Sequence, residues 1–164
     1  MGKEIERKWR LKTVPTFVLI EGAAKHITQG YLYIADNGEV RLRHEGDEYH
    51  LTGKGKGNLS RPEEDYILVT EMIFNFLWPR IIGAPINKVR YTYRCGDRVY
   101  QFDVHEDNLK SYVCVEVEFK TIEDAQVFTL PCWVGEAVDV TDDKRYKGKN
   151  LALNPHIVRE DPRF

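Results

Sequence analysis

Strand after strand of this sequence carries a pair of like charges on one face and apolar residues on the other. In Lys3-Glu4-Ile5-Glu6-Arg7-Lys8-Trp9-Arg10-Leu11 a period of two puts Glu4, Glu6, Lys8 and Arg10 together. Ile5, Trp9 and Leu11 fall opposite, with Arg7 the one misfit. Val113 to Phe119 alternates most cleanly, with Val113, Val115, Val117 and Phe119 against Cys114, Glu116 and Glu118. Acidic pairs are Glu4/Glu6, Glu63/Asp65 and Glu116/Glu118, and basic pairs are Arg41/Arg43 and Lys88/Arg90, with Lys8 and Lys54 as single members. A sheet with one wet face ordinarily mixes Thr, Ser, Gln and both charge signs, because like neighbours repel. Charges sorted by strand therefore predict an interior with an acidic wall and a basic wall, facing each other once the sheet closes into a barrel.

Such an interior calls for counterions. Clustered carboxylates suit hard divalent cations, and clustered Lys and Arg suit a polyanion. Together they describe a site for a metal-chelated polyphosphate and for phosphoryl transfer, where catalysis is mostly positioning and charge neutralisation. The plainer reading of the same residues is a solvated sheet face on a scaffold. The chain of 164 residues is long enough for one domain, expected over 1–164, and 42% hydrophobic with 30% charged residues is a globular composition. A formal net charge of −2 gives no overall pull toward nucleic acid or an anionic membrane. No apolar run approaches the ~20 residues needed to span a bilayer, and the charged start at Lys3 is unlike a signal peptide. Cys95, Cys114 and Cys132 are odd in number and out of metal spacing, and the five His are scattered. Reduced thiols in the cytoplasm are the expectation, with His and Cys left as structural.

In chain order, Pro15 to Ala24 reads as a short helix, Ile27 to Tyr33 as a strand, and Asp36-Asn37-Gly38 as a hairpin turn into Glu39–Arg43. Glu48–Lys54 is a further strand, and Pro62 makes Arg61–Ile67 an edge strand or a strand start. Thr70 caps a helix ending near Pro79, Ile86–Tyr93 and Arg98–His105 form a hairpin, and Thr121 opens a short helix. From Pro131 onward the chain reads as turn-rich.

Glu4-Ile5-Glu6-Arg7-Lys8 matches the Glu-x-Glu-x-Lys signature of the triphosphate tunnel metalloenzymes, the CYTH superfamily. Gln29-Gly30-Tyr31-Leu32, Val40-Arg41-Leu42-Arg43 and Leu51-Thr52-Gly53-Lys54-Gly55 resemble its next blocks in order. Lys88-Val89-Arg90-Tyr91, Asp103, Glu116-Val117-Glu118, Pro131-Cys132-Trp133-Val134-Gly135 and Thr141-Asp142-Asp143-Lys144-Arg145-Tyr146 follow, so the resemblance spans residues 3–153. It implies a mainly β fold, an antiparallel eight-stranded closed β-barrel with flanking helices. It also implies Mg²⁺- or Mn²⁺-dependent hydrolysis of a triphosphate with two ions per site, most like the bacterial inorganic tripolyphosphatase branch.

By that resemblance Glu4, Glu6, Glu63, Asp65, Glu116 and Glu118 hold metal, and Asp103 either does so or orients a basic side chain. Lys8, Arg41, Arg43, Lys54, Lys88 and Arg90 grip phosphate oxygens, and Arg145 adds a charge near the tunnel. Lys8, Glu6 and Tyr31 are the expected catalytic residues, Tyr31 lying near the reacting end. Three departures stand out: Arg61-Pro62-Glu63-Glu64-Asp65 shortens one ligand by a methylene, Asp139 replaces a Glu, and Gly148 stands where an Asn is usual. Only Met1-Gly2-Lys3 precedes the signature, without the His-Phe pair of the adenylyl cyclase branch. A nucleoside or thiamine triphosphatase and a non-catalytic polyphosphate-binding module stay open, as does the oligomeric state, a homodimer included.

Overall fold

The computed structural model describes residues 3–55, 60–62 and 65–164. Its strands are β1 (Lys3–Leu11), β2 (Ala23–Ala35), β3 (Gly38–Glu45), β4 (Glu48–Gly55), β5 (Ser60–Pro62), β6 (Asp65–Val69), β7 (Ile82–Cys95), β8 (Arg98–His105), β9 (Val113–Phe119) and β10 (Ala137–Asp139). The helices are α1 (Thr16–Glu21), α2 (Glu71–Leu77), α3 (Ile122–Val127) and α4 (Gly148–Leu153). All strand pairs are antiparallel, in the order β10-β1-β9-β8-β7-β2-β3-β4-β6, with β5 also on β1.

This is the mainly antiparallel sheet with flanking helices that the alternation predicts, with ten strands among the described residues in place of eight. Two features account for the difference. The short β10 joins β1 at Trp9–Leu11. The stretch expected to form one strand is split, β5 pairing with Lys3–Ile5 and β6 with Tyr49–Gly53. β5 ends on Pro62, which has no N–H with which to extend a ladder. β5 and β6 thus lie on the two margins of the sheet, which curls round a central cavity without a continuous hydrogen-bonded ring among the described residues.

The outward face buries the expected apolar set. Ile5, Trp9, Leu11, Tyr100, Phe102, Val115, Val117 and Phe119 pack with Val18 of α1, Ala125 of α3 and Val134. Arg7 lies on this face too, and the structure explains the misfit. Its guanidinium sits 4.6 Å from the Trp9 ring centroid, donates to the carbonyls of Ala125 (2.8 Å) and Phe128 (2.9 Å), and pairs with Asp139. It ties α3 and β10 to β1 while its charge stays satisfied.

Thr70 and Thr121 cap α2 and α3 as expected, accepting from the N–H groups of Ile73 and Asp124. After Pro131 the chain is more ordered than its turn signals suggest. Val140, Tyr146, Leu151, Ala152 and Val158 form a second apolar cluster with Tyr31, Ile86, Tyr112 and Cys114. Buried Arg10 donates to the Tyr146 hydroxyl at 2.7 Å, and that hydroxyl in turn bonds the buried Asp161. Arg163 holds Asp161 at 2.6 Å, so polar bonds fasten the C-terminal segment over one end of the sheet.

Candidate active site

The inner faces of β1–β4 and β7–β9 enclose a cavity of about 1000 Å³. Alternation sends Glu4, Glu6 and Lys8 inward from β1 and Cys114, Glu116 and Glu118 inward from β9. Register then decides the neighbours: Glu6 lies opposite Glu118, and Lys8 opposite Glu116. From β7 and β8 come Lys88, Arg90, Gln101 and Asp103, with Arg90 opposite Asp103. Tyr31, Arg41, Arg43 and Lys54 complete the expected lining from β2, β3 and β4.

The walls are less segregated than the sequence predicts. Asp103 is wholly buried and accepts from Lys88 Nζ at 2.5 Å, Arg90 Nε at 2.6 Å and Arg90 Nη2 at 2.7 Å. Glu116 accepts from Arg90 Nη2 at 2.6 Å and pairs with Lys8 Nζ at 2.7 Å. A chain of alternating charges, Lys88–Asp103–Arg90–Glu116–Lys8, therefore runs across four strands, β7, β8, β9 and β1. Burial opposes ionisation of both carboxylates, but Arg90 and Lys88 on Asp103, and Lys8 and Arg90 on Glu116, hold them well below the usual range. Burial also opposes the Lys8 ammonium, and Glu116, Cys114 and Glu6 together outweigh it. At Lys88 burial prevails over Asp103 and lowers the pKa.

At one end of this chain the carboxylates repel one another. Burial raises the Glu118 pKa, and Glu4 and Glu6 add to it. At the other end, burial together with Arg41 and Arg90 pushes Arg43 down to about 9, and its Nε has no acceptor. A guanidinium whose surroundings penalise its charge is one that an anion would stabilise.

Among the described residues, no group of three or more His, Cys, Asp or Glu is assembled to hold a metal ion. Glu63 and the side chain of Asp65 lie outside the described residues. Asp103 is paired with Lys88 and Arg90. Arg145 is not part of the lining; its guanidinium holds Asp143, Nη2 to Oδ2 at 2.6 Å, with Asp161 at 3.9 Å.

Several lining residues were not anticipated. Gln29 and Glu39 stand two residues before Tyr31 and Arg41, so alternation could have marked them. Lys147 and Lys149 come from the C-terminal segment, where no period marks them, and Lys149 Nζ is 3.5 Å from Glu39. His105 and Cys114 also face the cavity, yet burial holds the imidazole down to about 3 and the thiol up to about 12. Both shifts favour the neutral form.

The CYTH domain matches residues 2–132 of this sequence. The chain belongs to the CYTH family. An inorganic triphosphatase of Nitrosomonas europaea is 44% identical over 154 residues, covering 92% of this chain and 97% of its own. An inorganic triphosphatase of Acetivibrio thermocellus is 32% identical over 160 residues, covering 95% and 97%. A crystal structure of an inorganic triphosphatase matches this CYTH fold with a TM-score of 0.69 at 39% identity, covering 93% of this chain and 96% of that one.

Proposed function

We propose that this CYTH protein is an inorganic triphosphatase that hydrolyses the terminal phosphoryl of tripolyphosphate, releasing phosphate and diphosphate. The carrying observation is Arg43, a half-buried cation in the cavity lining whose buried Nε has no acceptor, beside buried Arg41. The relatives named inorganic triphosphatase over nearly the whole chain supply the substrate class.

Arg41, Arg43 and Lys54 on one wall and Lys8, Lys88 and Arg90 on the other bind phosphate oxygens and neutralise the charge growing on the leaving diphosphate. Asp103 and Glu116 fix the directions of Lys88, Arg90 and Lys8, so little reorganisation is needed when substrate enters. Glu4, Glu6 and Glu118 would hold the divalent cations, two per site, with Glu63 and Asp65 as further ligands. Their donor chemistry fits: hard carboxylate oxygens in mutual repulsion suit Mg²⁺ or Mn²⁺. When bound, the metal supplies charge neutralisation and a water of lowered pKa for in-line attack.

Phosphate release should be measured from tripolyphosphate, ATP, thiamine triphosphate and diphosphate, with Mg²⁺, Mn²⁺ or EDTA. Metal-dependent release from tripolyphosphate above all others is expected. Preference for ATP or thiamine triphosphate would instead make the protein an organic triphosphatase. Thermal stabilisation by tripolyphosphate without release would make it a binding module.

The proposal places the protein in the cytoplasm, which its three free cysteines support. No helix among the described residues is long and apolar enough to cross a membrane. It also includes a homodimer. Tyr66, Ile67 and Leu68 of β6 and Met72, Ile73 and Phe76 of α2 are exposed by 41–76%, a run of exposed apolar side chains along the sheet edge and the helix that follows it. β6 ends the strand order, with β4 as its one strand partner among the described residues. An antiparallel edge is self-complementary about a two-fold axis, and six large side chains go far toward the ~800 Å² per partner of a stable interface. Sedimentation velocity should show twice the monomer mass, and Met72→Glu with Phe76→Glu should halve it. A wild-type monomer at tens of micromolar would rule out the dimer.

A further inference from the structure

The hydroxyl of Tyr31 lies against the first residue of α4, and that residue is a glycine. A Cβ at Gly148 would stand 2.2 Å from Tyr31 Oη and 3.5 Å from both Tyr31 Cζ and Gln29 Nε2. Contact at 2.2 Å is well inside the separation of non-bonded atoms, so one side must move.

Neither side is free to do so. The Tyr31 ring is 1% exposed, within the cluster that holds Ile86, Tyr146 and Leu151. The helix is fixed through Leu151 and Ala152, both buried in that same cluster. The backbone at Gly148 is not in the left-handed region, so an alanine would be acceptable there apart from this one contact. Asn is the usual residue of the family at this position, so the close approach of Tyr31 Oη to the start of α4 belongs to the glycine of this chain.

The same hydroxyl faces the site. Tyr31 and Gly148 both line the cavity, as do Lys147 and Lys149 on either side of the glycine. Arg41, Glu39, Arg43 and Lys8 are the charges that act on the Tyr31 hydroxyl. Burial raises its pKa, so at neutral pH it is a hydrogen-bond donor, fitted to a phosphate oxygen held by those cations.

We propose that Gly148 is a positioning residue: by presenting no side chain to Tyr31 Oη, it lets α4 close on the cavity with that hydroxyl directed at the bound triphosphate. The inference rests on the triphosphatase reading and adds a residue from the C-terminal segment to it. Displacing a reacting group by about 1 Å can cost 10²-fold in rate. A Gly148 side chain shifts the donor without removing any phosphate-binding cation, so the loss belongs in kcat more than in KM.

The test is a double-mutant cycle of Gly148→Ala and Tyr31→Phe, read in kcat, KM and Tm with tripolyphosphate as substrate. Gly148→Ala should lower kcat by about 10–100-fold with KM within about threefold of wild type. The double variant should be no slower than Tyr31→Phe alone, since the displaced oxygen is already gone. Tm separates positioning from general damage: Gly148→Ala should lower Tm with Tyr31 present, and leave it unchanged or raised in the Tyr31→Phe background. Multiplying rate losses, an equal Tm loss in both backgrounds, or a Gly148→Ala kcat above half of wild type would overturn the inference. An inactive wild type would overturn the triphosphatase reading itself, an outcome these variants cannot mimic.

Discussion

Asp103→Ala is expected to lower the stability of the ligand-free protein by about 3–5 kcal/mol, the usual cost of removing one partner from a buried ion pair. Asp103 is wholly buried and accepts three bonds of 2.5–2.7 Å from Lys88 and Arg90. Arg90 keeps Gln101 and Glu116, so its charge remains partly compensated. Lys88, whose pKa burial already lowers, loses its main opposing carboxylate. Tm should fall by roughly 10 °C for a chain of this length. Asp103→Asn keeps the volume and one acceptor, and should cost less. Tripolyphosphate should restore part of the loss in Asp103→Ala, because a phosphate oxygen can take up the cation that the carboxylate released. A Tm within a degree of wild type would show that the alternating charge chain contributes no stability.

The pH dependence of this pair has a definite sign. The folded-state pKa of Asp103 lies below its unfolded value of about 3.9. The stability it contributes is therefore complete above that value and declines only as pH falls toward the folded-state pKa.

The charge chain also shows what the sequence could and could not convey. Alternation assigns each side chain to a face, and the inward set Glu4, Glu6, Lys8, Arg41, Arg43, Lys54, Lys88, Arg90, Asp103, Glu116 and Glu118 was legible on that basis. Alternation says nothing of which residue lies opposite, because register is a property of two strands. Lys8 was therefore expected on a basic wall and is found 2.7 Å from Glu116. Arg7 looked like a break in the pattern because its outward neighbours, Ala125, Phe128 and Asp139, lie more than a hundred residues away. The contributions of Lys147, Gly148 and Lys149 were illegible for a related reason. A helix of six residues in a turn-rich tail has too few turns to show a period, and tertiary packing fixes its place.

Glu6 and Lys8 separate the two halves of the mechanism. They share the inward face of β1, yet Glu6 lies opposite Glu118 and Lys8 opposite Glu116. On the proposed mechanism Lys8→Ala removes a phosphate donor, so it should lower kcat/KM by about 10²–10³-fold, as loss of one oxyanion donor does elsewhere. The rate should still saturate at the metal concentration that saturates wild type. Glu6→Ala should lower turnover by about 10²-fold or more and shift the metal dependence to higher concentration. The two should also differ in stability. Without metal, Glu6→Ala relieves repulsion from Glu118, and like charges directly opposite on a sheet are destabilising, so its Tm in EDTA should hold or rise. Lys8→Ala leaves Glu116 with one fewer partner and should lower Tm. Carboxylates that weaken the empty fold and are needed for turnover fit a metal site, where function is kept against stability. Near-wild-type turnover in both variants would refute the mechanism, and a Glu6→Ala Tm well below wild type in EDTA would assign Glu6 to the fold instead.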